Sequence, residues 1–287
     1  MRTEKEMMEL IIGVAQNDTH IRAAYMSGSR TNPNAPTDKY QDYDIVYVVT
    51  QLQSFIDDTS WLSVFGEALL IQEPDKNNMA FGEISKTAQS YGWLILLDDF
   101  NRIDLHIELK ETAIKNICAD SLVKLILDKD DFLPEIQKST DSGYYVKRPT
   151  EEQFLSCCNN FWWCLQNVAK GIAREQLPYA MMMYNRVVRD ELHKILDWYI
   201  GFQTDFSVSV GMWGKYYSKY LSSDIYAEYV KTYSDGDYQH MWTSIFAACA
   251  LFSKIAVKVA CNLNCTYMQD EEDGMMIYLR AVKNDTV

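Results

Sequence analysis

The sequence has no C-x-x-C pair, no internal repeat and no low-complexity tract. No unbroken apolar run approaches the roughly 20 residues needed to cross a bilayer, so no membrane partner is expected. Basic residues are scarce relative to acidic ones: 27 Lys and Arg stand against 40 Asp and Glu, for a net charge of −13. That balance argues against a basic groove for nucleic acid and favours a cationic small molecule as partner. The plainer alternative is that the charge serves solubility alone. Cys118, Cys157, Cys158, Cys164, Cys249, Cys261 and Cys265 are odd in number, which fits buried free thiols rather than a disulfide or metal framework. The charged start Met1-Arg-Thr-Glu-Lys-Glu6 is unlike a secretory leader, so a cytoplasmic location is expected.

What is present is enough apolar material for a folded protein. Of 287 residues, 48% are hydrophobic and 13% aromatic, sufficient for two modest domains or one large one. Met7, Leu10, Ile11 and Val14 recur at helical intervals, and Ile21–Met26 reads as a short strand. Pro33 and Pro36 mark a loop, and Tyr43 to Thr50 is a core strand rich in β-branched and aromatic residues. Ser54 to Leu70 is expected to be helical. Trp93–Leu97 and Ile103–Leu109 read as strands joined by a hairpin through Asp98–Arg102, and Leu122–Leu127 is a last apolar run.

From Thr150 the texture becomes helical. Thr150-Glu-Glu-Gln153 fits a capping box, followed by Phe154, Cys158, Phe161, Leu165, Val168 and Ile172 on one stripe. Further helices are expected over Pro178–Tyr199 and Tyr238–Val259. The turn-rich segment from Lys138 to Pro149 suggests a junction. The expected fold class is therefore α+β: a mixed β-sheet flanked by helices over residues 1–145, then a helical bundle over 146–287.

The chemistry lies in the first half. A strand leads into Gly28-Ser29-Arg30, and after a loop Asp42-Tyr43-Asp44 opens the next strand. Alternation along a strand places Asp42 and Asp44 on one side, a hard, all-oxygen set suited to Mg²⁺. Asp104, early in a later strand, would complete three converging carboxylates, whose repulsion two divalent ions would relieve. Gly28 permits close approach of backbone N–H groups to a phosphate, Ser29 adds a hydroxyl and Arg30 a positive charge. Each part is weak alone, and their conjunction in this order is specific.

On these residues the chain resembles the aminoglycoside 6-adenylyltransferases (streptomycin adenylyltransferases) of the polymerase-β-like nucleotidyltransferase superfamily. The resemblance rests on Met1–Met8, Gly28–Arg30, Gln41–Ile45, Asp98–Leu105, Leu127–Asp130 and Cys157–Trp162, and extends through Lys170-Gly171, Asn185, Val188-Arg189 and Ser209–Gly211. It implies a nucleotidyltransferase domain followed by a helical substrate-binding domain, and Mg²⁺-dependent transfer of AMP from ATP to an aminoglycoside hydroxyl, giving antibiotic resistance. By that resemblance Asp42 and Asp44 would bind two Mg²⁺ ions and Asp104 the one beside the acceptor. Gly28, Ser29 and Arg30 would hold the triphosphate, with Lys129, Lys170 and Lys215 as candidates facing the departing pyrophosphate. The family has acidic residues where this chain has Asn160 and within Ala180–Tyr184, and a lysine where Met212 stands. These departures leave open a different acceptor: another antibiotic, a metabolite or a protein. A nucleotide-binding protein without catalysis is the remaining alternative, and it would normally have lost one of the three carboxylates. The general base is not legible, and His106 reads as structural. Core packing is the ordinary expectation for Trp162, Trp163, Trp198, Trp213, Tyr216 and Tyr217, while exposed aromatic helices would suit a homodimer.

Overall fold

Helix α1 (Glu4–Asn17) starts at Thr3, whose hydroxyl accepts from the Glu6 backbone while the Glu6 carboxylate accepts from the Thr3 N–H, the reciprocal cap that satisfies two orphan donors. Its residues Met7, Ile11 and Ala15, at four-residue spacing, are buried. The computed structural model describes residues 1–82 and 89–286. The chain divides into two units, Met1–Gly143 and Tyr144–Val287.

In the first unit, β1 (Ile21–Met26), β2 (Tyr43–Val49), β3 (Ala68–Gln72), β4 (Ser90–Leu97), β5 (Arg102–Glu108) and β6 (Lys124–Asp128) form one sheet in the order β3-β4-β5-β2-β1-β6. Among the described residues β2 and β5 pair in parallel and the other strand pairings are antiparallel. One face carries Ile45, Tyr47, Ile103, Leu105, Ile107, Trp93 and Ile95 and packs with residues of α1. On the other, Ala23, Tyr25, Val46 and Val48 pack with Ala113 and Ile117 of α4 (Lys110–Ala119), which follows two short helices, α2 (Gln53–Asp57) and α3 (Pro74–Ala80). Burial on both faces explains why β2 reads as an almost continuous apolar run. The hairpin between β4 and β5 turns at Phe100 (φ 66°), and its Asp99 accepts from the Arg2 backbone N–H and Nε at 3.0 and 2.7 Å.

The expected helix over 54–70 is corrected. After α2, Asp58 adopts an extended conformation and caps a tight 3₁₀ segment, Thr59–Phe65, and Gly66 at φ 123° turns the chain into β3. The apolar spacing across these residues suits a helix, but β3 uses it differently: as an edge strand it leaves Leu69, Leu70 and Ile71 exposed.

The second unit is helical: α5 (Glu151–Ala173), α6 (Leu177–Met183), α7 (Arg189–Gln203), α8 (Tyr217–Tyr220), α9 (Ser223–Val230), α10 (Tyr238–Leu263) and α11 (Gln269–Thr286). Thr150 and Gln153 form the expected capping box at α5. A π-helical turn, Tyr184–Val188, joins α6 to α7. By length and composition α10 is apolar enough to cross a membrane, with a mean hydropathy of 1.7, although Ser253, Lys254 and Lys258 keep it from holding one unbroken apolar run. Met241, Ile245, Ala248, Phe252, Ile255 and Val259 on that helix are buried in the bundle. Cys157, Cys158, Cys164 and Cys249 are buried free thiols as expected, whereas Cys118 and Cys261 are exposed.

Two groups on α7, Asp197 and His193, have their ionisation shifted strongly by burial in this bundle. Burial pushes the Asp197 carboxyl up to about 6, partly offset by a 2.5 Å hydrogen bond from Tyr217. Burial, with the Arg189 charge, pushes His193 down to about 4. For Asp197 the folded state retains a proton that the unfolded chain releases near pH 3.9, so stability falls as pH rises towards about 6. For His193 the sign is opposite, and stability rises between about 4 and 6.5. Asp197→Asn is therefore expected to raise stability by ~1–2 kcal/mol at pH 7.5 and by nothing below about pH 4, leaving a net rise with pH from His193. Thermal denaturation over pH 4–8 measures it, and equal stabilities at every pH would contradict the assignment.

Candidate active site

The parallel pairing of β2 with β5 sets Asp44 directly opposite Asp104. Adjacent strands lie about 4.8 Å apart, and side chains at paired positions share a face. Asp42, two residues before Asp44, belongs to the same side. This is the face that α4 packs against further along, over Val46 and Val48, so the carboxylates occupy its uncovered end.

The three acids are held in a conflict of charge. Burial, then the charges of Asp104 and Asp42, push Asp44 up to about 6. Burial also raises Asp42, with Arg102 opposing it and Asp104 adding to it. Arg102, two residues before Asp104 on β5, donates from Nε and Nη2 to the two Asp104 oxygens, both at 2.7 Å. Its Nη1 lies 3.4 Å from Asp42 Oδ2. One guanidinium therefore straps two of the three carboxylates. Arg102 thus belongs to the site's geometry although no motif marks it; strand alternation, which places it on the Asp104 side, is the signal the sequence offers. Among the described residues no three His, Cys, Asp or Glu side chains form a ready-made metal cage.

The Gly28 turn borders the same acids. Gly28 has φ 72°, and a Cβ there would come 2.1 Å from Asp44 Oδ2, so only glycine fits. The Ser27 N–H donates to the Asp44 carbonyl at 3.0 Å, tying the turn to β2. Among the described residues the N–H groups of Gly28 and Ser29 have no protein acceptor, an arrangement suited to an anion.

The predicted cations divide. Arg30 does not point free into the site: its Nε and Nη2 donate to the carbonyls of Asp42 and Gln41 at 3.0 and 2.9 Å, and it stacks 3.8 Å from the Tyr43 ring centroid. It holds the Asp42 loop in place. Lys129 lies away from the Gly28 turn: its backbone N–H donates to the Arg22 carbonyl, near the other end of β1, and its Nζ donates to the Asp18 carbonyl at 2.7 Å. Arg22 and Gly28 are six residue steps apart along extended chain, roughly 20 Å. Lys170 and Lys215 belong to the second unit; Lys170 Nζ donates to Gln166 at 2.6 Å, and Lys215 is exposed beyond a turn running from Gly211 to Gly214.

Of the residues marked as departures, Asn160 donates to the buried Glu191 at 2.6 Å and accepts from Cys164 at 3.3 Å. Met212 and Trp213 are 68% and 83% exposed, and Trp163 is 63% exposed, so core packing holds for Trp162 and Tyr217 but not for these tryptophans. Trp213 also takes a left-handed backbone conformation, φ 53°, rare for a bulky residue.

Comparison with known proteins adds the lineage. Residues 1–282 match the streptomycin adenylyltransferase family. An aminoglycoside 6-adenylyltransferase of Bacillus subtilis (strain 168) is 37% identical over 283 residues, covering 98% of both chains. Those of Campylobacter jejuni and Staphylococcus aureus are 36% and 34% identical, covering 95% of this chain in each case and 93% and 96% of theirs. A crystal structure of an aminoglycoside 6-adenyltransferase from Bacillus subtilis superposes with a TM-score of 0.48 at 32% identity over 99% of each chain. With matches over nearly its whole length, the chain belongs to the streptomycin adenylyltransferase family and is a nucleotidyltransferase.

Proposed function

We propose that the protein transfers AMP from ATP, with Mg²⁺, to a hydroxyl of an aminoglycoside antibiotic, and so confers resistance. The observation that carries this reading is the pairing of Asp44 with Asp104 on parallel strands, with Asp42 beside them and the free amides of Gly28 and Ser29 next to Asp44. The donor set fits a hard divalent cation: it is all oxygen, and the raised Asp44 and Asp42 carboxyls mark a site short of positive charge. Asp42 and Asp44 would hold both ions and Asp104 the one nearer the acceptor. When bound, such ions neutralise phosphate charge and favour ionisation of a hydroxyl.

The chain's own groups do the rest. The Gly28 and Ser29 amides and the Ser29 hydroxyl orient phosphate oxygens for in-line attack at the α-phosphorus. Arg30 fixes the Asp42 loop, which keeps the carboxylates in register. Arg102 neutralises the acids in the absence of other cations and competes with them for the same oxygens. Arg102→Met should therefore show a larger Mg²⁺-induced rise in melting temperature than wild type, and an identical response in both proteins would contradict that competition. The function itself is tested by pyrophosphate release with Mg²⁺, each nucleoside triphosphate in turn and a panel of aminoglycosides. ATP with at least one aminoglycoside should turn over. Normal ATP binding with no turnover on any of them would transfer the same chemistry to another acceptor.

A further inference from the structure

Beyond the carboxylates, along the same sheet face, lies a cavity of about 220 Å³ whose lining includes Tyr25, Val46, His106, Glu108, Asn116 and Asp120. Its position follows from the strand register: Asp44 pairs with Asp104, Val46 with His106 and Val48 with Glu108. Each step is one pleat, roughly 6.6 Å, so the cavity begins one pleat from the carboxylates and Glu108 stands two pleats away. Glu108 is 3% exposed, and its hydrogen-bond donors among the described residues are neutral: Asn116 donates to it at 2.6 Å, and the Tyr25 hydroxyl donates to its other oxygen. These two neutral donors leave lone pairs on both carboxylate oxygens. The described lining carries the carboxylates of Glu108 and Asp120 and no lysine or arginine, a set suited to a donor-rich cation. His106 forms its exposed rim, where Gly92 makes room: a Cβ on residue 92 would meet the His106 ring at 2.6 Å.

We infer that this cavity is a specificity subsite receiving a guanidinium or ammonium group of the acceptor, with Glu108 as the recognising carboxylate. The inference rests on the proposed acceptor class. It gives His106 a place at the mouth of the subsite instead of a purely structural one.

The test compares wild type with Glu108→Gln, which keeps the shape and an acceptor oxygen but loses the charge. The KM for an aminoglycoside that wild type adenylylates should rise about tenfold or more, as expected for losing a charged hydrogen bond. The KM for ATP should stay within about twofold, and kcat should change far less than the acceptor KM. Comparing guanidinium-bearing with amine-only aminoglycosides identifies the group that enters. If Glu108→Gln does not fold, His106→Gln at the exposed rim should still raise the acceptor KM alone. An unchanged acceptor KM, or a parallel rise for ATP, overturns the subsite. Failure of wild type on every aminoglycoside would instead refute the acceptor class.

Discussion

Asp44→Asn is expected to lower kcat by on the order of 10³-fold or more while leaving the protein folded, because it removes charge from where phosphoryl transfer needs it. Burial and the neighbouring charges of Asp104 and Asp42 push the Asp44 carboxyl up to about 6, so ionising it at neutral pH works against the folded state. The amide removes that penalty. In EDTA at pH 7.5 the variant should melt at or above the wild-type temperature. Loss of turnover joined to equal or higher stability separates a functional carboxylate from a structural one. A variant that keeps its activity, or loses activity only by unfolding, would remove Asp44 from the site.

The second large effect is expected for Gly28→Ala. The added Cβ would come 2.1 Å from Asp44 Oδ2, and alanine would have to hold φ near 72°. Left-handed strain costs about 1–2 kcal/mol, and the clash must be relieved by moving either the turn or the carboxylate. Both movements disturb the same place, since the Ser27 N–H links the turn to the Asp44 carbonyl. We expect kcat/KM to fall at least about a hundredfold, with a melting temperature lower by several degrees. Near-wild-type kinetics would mean that the turn and the carboxylate do not need their present fit.

The carboxylate pair was legible in the sequence because β-structure has period two and strand ends are marked by turn residues. Asp42, Asp44 and Asp104 needed only alternation and the pairing of β2 with β5 to be gathered. Arg102 obeys the same alternation but was overlooked, since a guanidinium beside a DxD pattern carries no motif of its own. Arg30 has a second role that the sequence did not show: a positive charge beside a Gly-Ser turn suggests a phosphate, while its side chain also donates to the backbone carbonyls of residues 41 and 42. Lys129 was a candidate through the family resemblance alone, and the antiparallel run of β6 along β1 carries residue 129 to the end of β1 remote from Gly28. In the fold, α1 was legible from its apolar spacing and α5 from the capping box of its first turn. The stretch 54–70 was not, because its apolar spacing suits a helix equally well and only Asp58 and Gly66 redirect it.

The most direct measurement of the central claim is the mass of the acceptor after reaction. Purified wild-type protein and Asp44→Asn are incubated with ATP, Mg²⁺ and an aminoglycoside, and the antibiotic is analysed by mass spectrometry. A single AMP added by wild type, and none by the variant, is the predicted result. An unmodified antibiotic with the wild-type protein, or equal adenylylation by both, would contradict the account.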